Sequence, residues 1–251
     1  MTWRTLLYPP VRSREREIMD DPDSDRELLE NTLRQFPRTN RLLSRMHHLL
    51  DRYFLRDMEA RLKTHRVSRD KTFTILDVGA GACDIPLWLA AQARKRGIPV
   101  DITCIDHDSR VVEFARERVA HDPDVTVQPG SALDIAGRYD YIMCNHVLHH
   151  LDDGEIRRFF QGTYHSCGRR ILINDLLRSY WSIIGFWLFA TCFLRDSFAR
   201  TDGIISVRKG FRRVEIEEII ATCPWSTPGT DYRIGHTLPG RLYVVATRDT
   251  R

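Results

Sequence analysis

Along the first 70 residues, apolar positions recur at helical spacing. Leu28, Leu29, Leu33 and Phe36 form one stripe, and Leu42, Leu43, Met46, Leu49, Leu50, Tyr53 and Phe54 form a second. Asp25 stands where a helix N-cap is needed, and Pro37 separates the two stripes. The second helix is expected to run to about Leu62, followed by a polar stretch from Thr64 to Thr72. Residues 1–70 therefore read as a helical cap in front of a main domain over 71–251.

From Phe73 the pattern changes to short apolar runs alternating with amphipathic stretches. Phe73–Val78, Val100–Ile105, Val125–Gln128, Tyr139–Cys144 and Arg170–Asn174 read as buried strands. Between them, Pro86–Arg94, Ser109–Ala120 and Gly154–Tyr164 read as helices. Such alternation requires right-handed crossovers, hence a doubly wound α/β fold with helices on both faces of a mostly parallel sheet. A further helix over Val214–Thr222 precedes two strands near Tyr232–Ile234 and Leu242–Thr247. The short turn-rich link between them predicts an antiparallel hairpin at one edge, which brings the sheet to seven strands.

Tyr180 to Leu194 carries no charge over 15 residues and lies between Arg178 and Arg195. A spanning helix needs about 20 apolar residues. This segment reads instead as a buried or pocket-covering helix within a lid over 176–212, with interfacial membrane contact as the alternative. Trp181 is the candidate acceptor contact on it.

Composition narrows the function only modestly. The formal net charge of +4 is small, and the basic residues, nearly all arginine, are mixed with acids. No basic arm marks a nucleic-acid binder. The six cysteines are scattered, with no CxxC pair and no zinc-ligand spacing, so no metal site is expected and a reducing, cytoplasmic setting fits. Met1 to Arg16 has arginines but no apolar core followed by a cleavage site, which is not the pattern of a signal peptide.

The chemistry concentrates at strand ends. In Ile75–Asp84 (ILDVGAGACD) an apolar strand enters a tight glycine turn that opens a helix. Gly79 and Gly81 allow close backbone approach to a ligand. A dinucleotide turn wants a third glycine where Asp84 stands. A carboxylate there repels a pyrophosphate and suits a ligand with positive charge. Asp106, at the tip of the next strand, is placed to accept hydrogen bonds from ribose hydroxyls, while Asp108 reads as an ordinary N-cap. Turn and acid together point to an adenosine-type ligand.

With these motifs the stretch from Phe73 to about Asp175 resembles the class I S-adenosylmethionine-dependent methyltransferases. LDVGAG matches that family's first motif, IDHD the second and YDYIMC the strand-four motif. Asn145–Leu151 (NHVLHHL) looks like the signature of the subgroup that methylates quinones, phenols and other small molecules. The resemblance implies S-adenosylmethionine as cofactor. It places Gly79, Ala80 and Gly81 around the methionine part, Asp106 and His107 at the ribose, and Ser131 and Ala132 at the adenine edge. It puts Asp77 at the turn or the amino group, with Asn145 completing the set. Two departures stand out: Cys83 where the family usually has a third glycine, and Ser131 where it often has an acid. The segments REREIMDDPD and NRLLS also resemble methyltransferases found alongside polyketide-type pathways in bacteria.

Methyl transfer from a sulfonium is an in-line displacement, and a hydroxyl nucleophile must also lose its proton. His149 is the first candidate base and His150 the second, with His146 and Asp175 as acceptor contacts. Asn174 and Asp175 close the fifth strand, where Asp175 alternatively caps the next helix. The expected activity is O- or C-methylation of a small lipophilic or aromatic acceptor by a monomer or homodimer. The rivals are N-methylation of a small amine and a non-catalytic binding protein on the same fold. Carboxylates rather than aromatics around the acceptor would favour the amine.

Overall fold

The computed structural model describes Pro9, residues 11–68 and residues 70–248. Part of the stretch read as lacking a signal peptide, and the outer ends of both expected domains, lie outside these residues. The helices are α1 (Arg26–Thr39), α2 (Met46–Leu50), α3 (Arg56–Lys63), α4 (Asp84–Lys95) and α5 (Ser109–Val119), followed by α6 (Asp153–Ser166), α7 (Tyr180–Phe193), α8 (Ala199–Lys209) and α9 (Arg213–Ala221). The strands are β1 (Phe73–Val78), β2 (Val100–Asp106), β3 (Val125–Pro129), β4 (Tyr139–Asn145), β5 (Cys167–Leu176), β6 (Thr230–Thr237) and β7 (Arg241–Arg248). They form one seven-stranded sheet in the order β3-β2-β1-β4-β5-β7-β6. Strands β1 to β5 pair in parallel, and β7 pairs antiparallel with both β5 and β6. The expected hairpin is thus present, with both strands longer than the apolar pattern implied.

Side chains alternate across the pleat, so each strand feeds both layers. Ile75, Ile102, Tyr141 and Leu172 face a cluster with Leu50, Phe54, Leu89 and Val112. Leu76, Ile105, Ile142 and Ile171 face the opposite one, with Ile156, Phe160, Ile220 and Trp225. Burial on both faces explains why the strands read as unbroken apolar runs.

The N-terminal helices depart from expectation at one point. Asp25 does cap α1, accepting from the Leu28 amide at 2.9 Å. Pro37, however, does not end it. It sits in the last turn, and the Asn40 amide still reaches the carbonyls of Phe36 and Pro37. Only one backbone donor is lost there, so the chain continues into a wide π turn over Asn40–Ser44. The break falls at Arg45, held left-handed at φ 59°. From Met46 the chain stays helical to Lys63 through a second π turn, Asp51–Leu55. Asp57 ties this helix to the sheet, accepting from Tyr141 Oη at 2.6 Å and from Arg169 at 2.9 and 3.1 Å.

Of the two readings of α7, buried or pocket-covering, the first does not hold. Only Ala190 is fully buried along its length. Its inner side leans on α8, where a methyl group at Gly203 would fall 2.1 Å from the Phe186 ring. Its outer side is open.

A strap over residues 12–20 crosses α8 on its way to α1. Arg12 donates to the carbonyls of Lys209 and Leu151 and to Asp153, and Asp202 accepts from the Ile18 and Met19 amides at 2.9 Å each. Glu17, buried, receives Lys209 Nζ at 3.0 Å, and Asp20 receives His150 Nδ1 at 2.9 Å. Burial disfavours the His150 imidazolium, but Asp20 and Glu17 outweigh both this and Lys209, so its pKa is raised above the ordinary 6.5. A pKa raised on folding contributes stability that is complete below about 6.5 and is lost as pH climbs through the folded value. Amide exchange at Ile18–Asp20 should therefore accelerate between slightly acidic and slightly basic pH, and His150→Gln should flatten that dependence. Equal protection at both pH values would show that this contact does not anchor the strap.

Candidate active site

A cavity of about 500 Å³ opens along the carboxyl edge of the parallel strands, within the usual range of small-molecule sites. One end is built on the β1–α4 turn. Gly79 has φ +85°, and a Cβ there would meet Val147 Cγ2 at 2.3 Å, so only glycine fits. Its amide and that of Ala80 donate to the Ile105 carbonyl at 2.8 and 2.9 Å, and the Gly81 amide donates to Asp106 at 3.2 Å. The departure at Cys83 has a plain geometry: it takes the left-handed conformation (φ 54°, ψ 18°) that a glycine there would adopt freely.

Three carboxylates meet at this end, with no lysine or arginine bonded to them among the described residues. Burial, and then the charges of Asp84 and Asp106, push the Asp77 carboxyl well above its ordinary range. Burial also raises Asp84 and Asp106. Asp84 accepts from Asn40 Nδ2 at 3.1 and 3.2 Å, and Asn145 Nδ2 donates to Asn40 Oδ1 at 3.3 Å. Asn174 in turn donates to Asn145 Oδ1 and the Ser44 carbonyl at 2.8 and 2.9 Å. The π turn after α1 is thereby locked across the glycine turn. His107, Ser131 and Ala132 line the same end, with His107 largely in solvent.

At the other end lie His146, His149 and His150, from the loop after β4. His149 is buried, with Nδ1 at 2.7 Å from Asp175 Oδ1 and Nε2 at 3.6 Å from Glu17 Oε1. Asp175 also accepts from the His149 and Leu176 amides, and its carboxyl lies well below the ordinary carboxylate range. Burial opposes that direction, and the charge and hydrogen bond of His149 overcome it. Asp175 therefore orients a histidine and does not cap α7; Ser179 does that through the Ser182 amide. His146 is left-handed at φ 63°, its Nε2 against the Arg241 guanidinium. Burial, then the Arg241 charge, lower its pKa well below 6.5.

Trp181 does not join this group. It is 71% exposed, and Phe186 and Leu194 present α7 to the cavity instead. Five positions along a helix amount to a turn of about 140° away from Phe186, which carries Trp181 to the outer side.

Several lining residues have no local signal in the sequence. Glu17, Asp20, Asn40, Asp202 and Arg241 come from distant segments. Arg241 is the only lysine or arginine in the lining; it is buried, donates to the Leu43 carbonyl at 3.0 Å, and makes no carboxylate contact among the described residues. Asn40 and Arg241 reach the site because a π turn and an antiparallel strand deliver them, neither of which a spacing rule reveals. Glu17, His149 and His150 also bring ligand atoms within 4.8 Å of one another, a spacing that suits a metal ion. Lys209 Nζ, at 3.0 Å from Glu17, already supplies a cation to that group.

Residues 75–168 match the family described as Methyltransferase domain. No curated protein matches the chain by sequence. Among solved structures, magnesium protoporphyrin IX methyltransferase from Synechocystis PCC 6803 with bound SAH aligns at 16% identity and TM-score 0.50, over 82% of this chain and 85% of that one. The plantazolicin methyltransferase BpumL, in complex with a pentazolic desmethylPZN analog and SAH, aligns at 11% identity and TM-score 0.57, over 89% and 95%. The pyocyanin biosynthetic protein PhzM aligns at 13% identity and TM-score 0.52, over 76% of this chain but 54% of that one. At these identities the likeness is one of fold. The family match is confined to residues 75–168, where the chain is similar to methyltransferase domains, and the seven-stranded sheet is the fold it shares with these structures.

Proposed function

We propose that this protein transfers a methyl group from S-adenosylmethionine to a hydroxyl of a small lipophilic or aromatic acceptor. The observation that carries the reading is the buried His149–Asp175 pair, set in the same cavity as the glycine turn and Asp106. The cofactor fits the far end. Its sulfonium and ammonium charges are matched by Asp77, Asp84 and Asp106, where a pyrophosphate would be repelled. Asp106 takes the ribose hydroxyls, Gly79, Ala80 and Gly81 take the methionine part, His107 lies over the ribose rim, and Ser131 and Ala132 edge the adenine. Asn145 holds the wall between the two ends. When bound, the cofactor supplies a methyl carbon open to in-line attack.

The chain's own residues then manage the acceptor. Asp175 holds the His149 ring with Nδ1 as donor, which leaves Nε2 to receive the hydroxyl proton. The imidazolium so formed sits between the carboxylates of Asp175 and Glu17. Neutral His146 and the Arg241 guanidinium offer donors to the acceptor oxygen as it loses its proton. His150 is tied to Asp20 and serves the strap, so His149 is the base. Phe186 and Leu194 give the acceptor an apolar wall.

A second reading rests on Glu17, Asp20 and Asp202 at the acceptor end, which would suit an amine. Each already has a partner: Lys209, His150, and the backbone amides of Ile18 and Met19. That leaves Arg241, which has no carboxylate bonded to it among the described residues and feels the Asp175 charge only at longer range; it favours an acceptor oxygen. A panel pairing phenols with the matching anilines and alkylamines separates the readings, since turnover confined to amines would replace the first with the second.

Asp106→Ala should weaken S-adenosylmethionine binding by roughly 10- to 100-fold, the worth of hydrogen bonds to a charged group. Calorimetry returning wild-type affinity would remove the ribose assignment. His149→Ala should lower kcat by about 10²–10⁴-fold with cofactor affinity little changed; an unaltered rate excludes it as base. Arg241→Gln should raise KM and lower kcat for hydroxyl acceptors, while Arg241→Lys keeps part of both. If neither variant changes either constant, the guanidinium has no part in acceptor binding.

A further inference from the structure

Among the described residues, the outer side of α7 is an unpartnered apolar face. Tyr180, Trp181, Ile184, Trp187, Leu188 and Phe193 are each 43% or more exposed, and Trp181 reaches 71%. A helix that is apolar all round normally lies inside a protein or against lipid, and this one lies half outside. The face continues beyond the helix. The β6–β7 turn packs on its first turn, where a Cβ on Gly240 would meet Ser182 Oγ at 2.4 Å, and this turn presents Leu238 at 87% exposure. Leu238 shares a groove with Leu42 and Arg45.

The border of this face is mainly basic, with Asp196, just beyond the helix end, as an exposed carboxylate. Arg38 stacks on the Phe193 ring at 4.6 Å, and Arg41 and Arg45 are exposed on the adjoining π turn and its break. No aspartate or glutamate occurs from Asn31 to Leu50 or from Leu176 to Leu194.

We propose that this face docks on an anionic lipid bilayer, with α7 lying in the plane of the surface. At 14 residues the helix is about 21 Å long, too short to cross a hydrocarbon core of about 30 Å. Exposed tryptophans and a tyrosine with arginines beside them are the side chains that settle at the headgroup boundary. Arginine attraction to anionic headgroups adds to the apolar burial. A second copy of this chain is a poor occupant, because a twofold contact brings the same arginine border against itself. The opposite side of α7 places Phe186 and Leu194 on the cavity, so docking sets the acceptor end one helix away from the bilayer. The docking does not depend on which acceptor atom is methylated, but its use in acceptor delivery rests on the lipophilic acceptor proposed above.

The test is co-sedimentation of the whole chain with vesicles of phosphatidylcholine alone and with phosphatidylglycerol added. Binding to the anionic vesicles, with a blue shift of tryptophan emission, is expected. The double substitution Trp181→Asp and Trp187→Asp should weaken that binding by at least about tenfold, given the apolar area each removes. Arg41→Gln should weaken it by roughly fivefold and reduce its salt dependence. S-adenosylmethionine binding by calorimetry should survive all three substitutions, which shows folded protein and keeps this question apart from the methyl-transfer reading. No binding to either vesicle, or binding unmoved by the double variant, overturns the proposal. Self-association in sedimentation velocity that the double variant abolishes also overturns it, by giving the face to a second copy.

Discussion

The hydrogen bond between His149 and Asp175 organises the histidine end of this site. Asp175 is the penultimate residue of the strand at which the parallel order stops, and it accepts from the ring and the backbone of His149, and from its own neighbour Leu176. An ionised carboxylate without these donors would be costly at such depth. The loop after β4 is therefore obliged to fold back over β5, and this brings His146 to Arg241 and His150 to the strap. The cavity wall, the closing strap and the left-handed turn at His146 all follow from satisfying one buried charge.

A second constraint works at the opposite end. Asp77, Asp84 and Asp106 crowd one another where burial already disfavours charge. Asn40 relieves Asp84 with an amide, and Asn145 and Asn174 extend that relay to the Ser44 carbonyl. The helical cap is thus bonded into the binding end and does more than cover it. The crowding is tolerable for a ligand that brings positive charge, and this electrostatic preference matches the family found over residues 75–168.

The strand–helix alternation and the glycine turn were legible in the sequence, because each is written in consecutive residues: an apolar run, then Gly79 and Gly81, then a helix. Asp106 was legible for the same reason, as the last residue of a strand. The acceptor end was harder to read. Glu17 and Arg241 lie more than 100 residues from His149 or on the far side of a hairpin, so only tertiary contact unites them. Pro37 misled because a proline in the last turn of a helix costs one donor, and the π turn beyond it keeps the path helical. For α7 the apolar pattern was read correctly as a helix, and of the two placements offered, buried or pocket-covering, the first does not hold. Composition that is uniform around a helix carries no information on which side its neighbours cover.

The reversed direction of β7 has an evolutionary corollary. Because this strand runs antiparallel to β5, its first residue, Arg241, arrives at the ligand edge where a parallel strand would bring its last. On the function proposed above, the acceptor end is assembled from the strap, the loop after β4, the lid helices and a hairpin corner, whereas the cofactor end draws mainly on residues 77–132 and Asn145, with Asn40 bonded in from the cap. Insertions or substitutions in the first set can reshape what is accepted without disturbing the second. Under that division, selection on substrate range would leave its marks near Arg241 and α7 and spare the glycine turn.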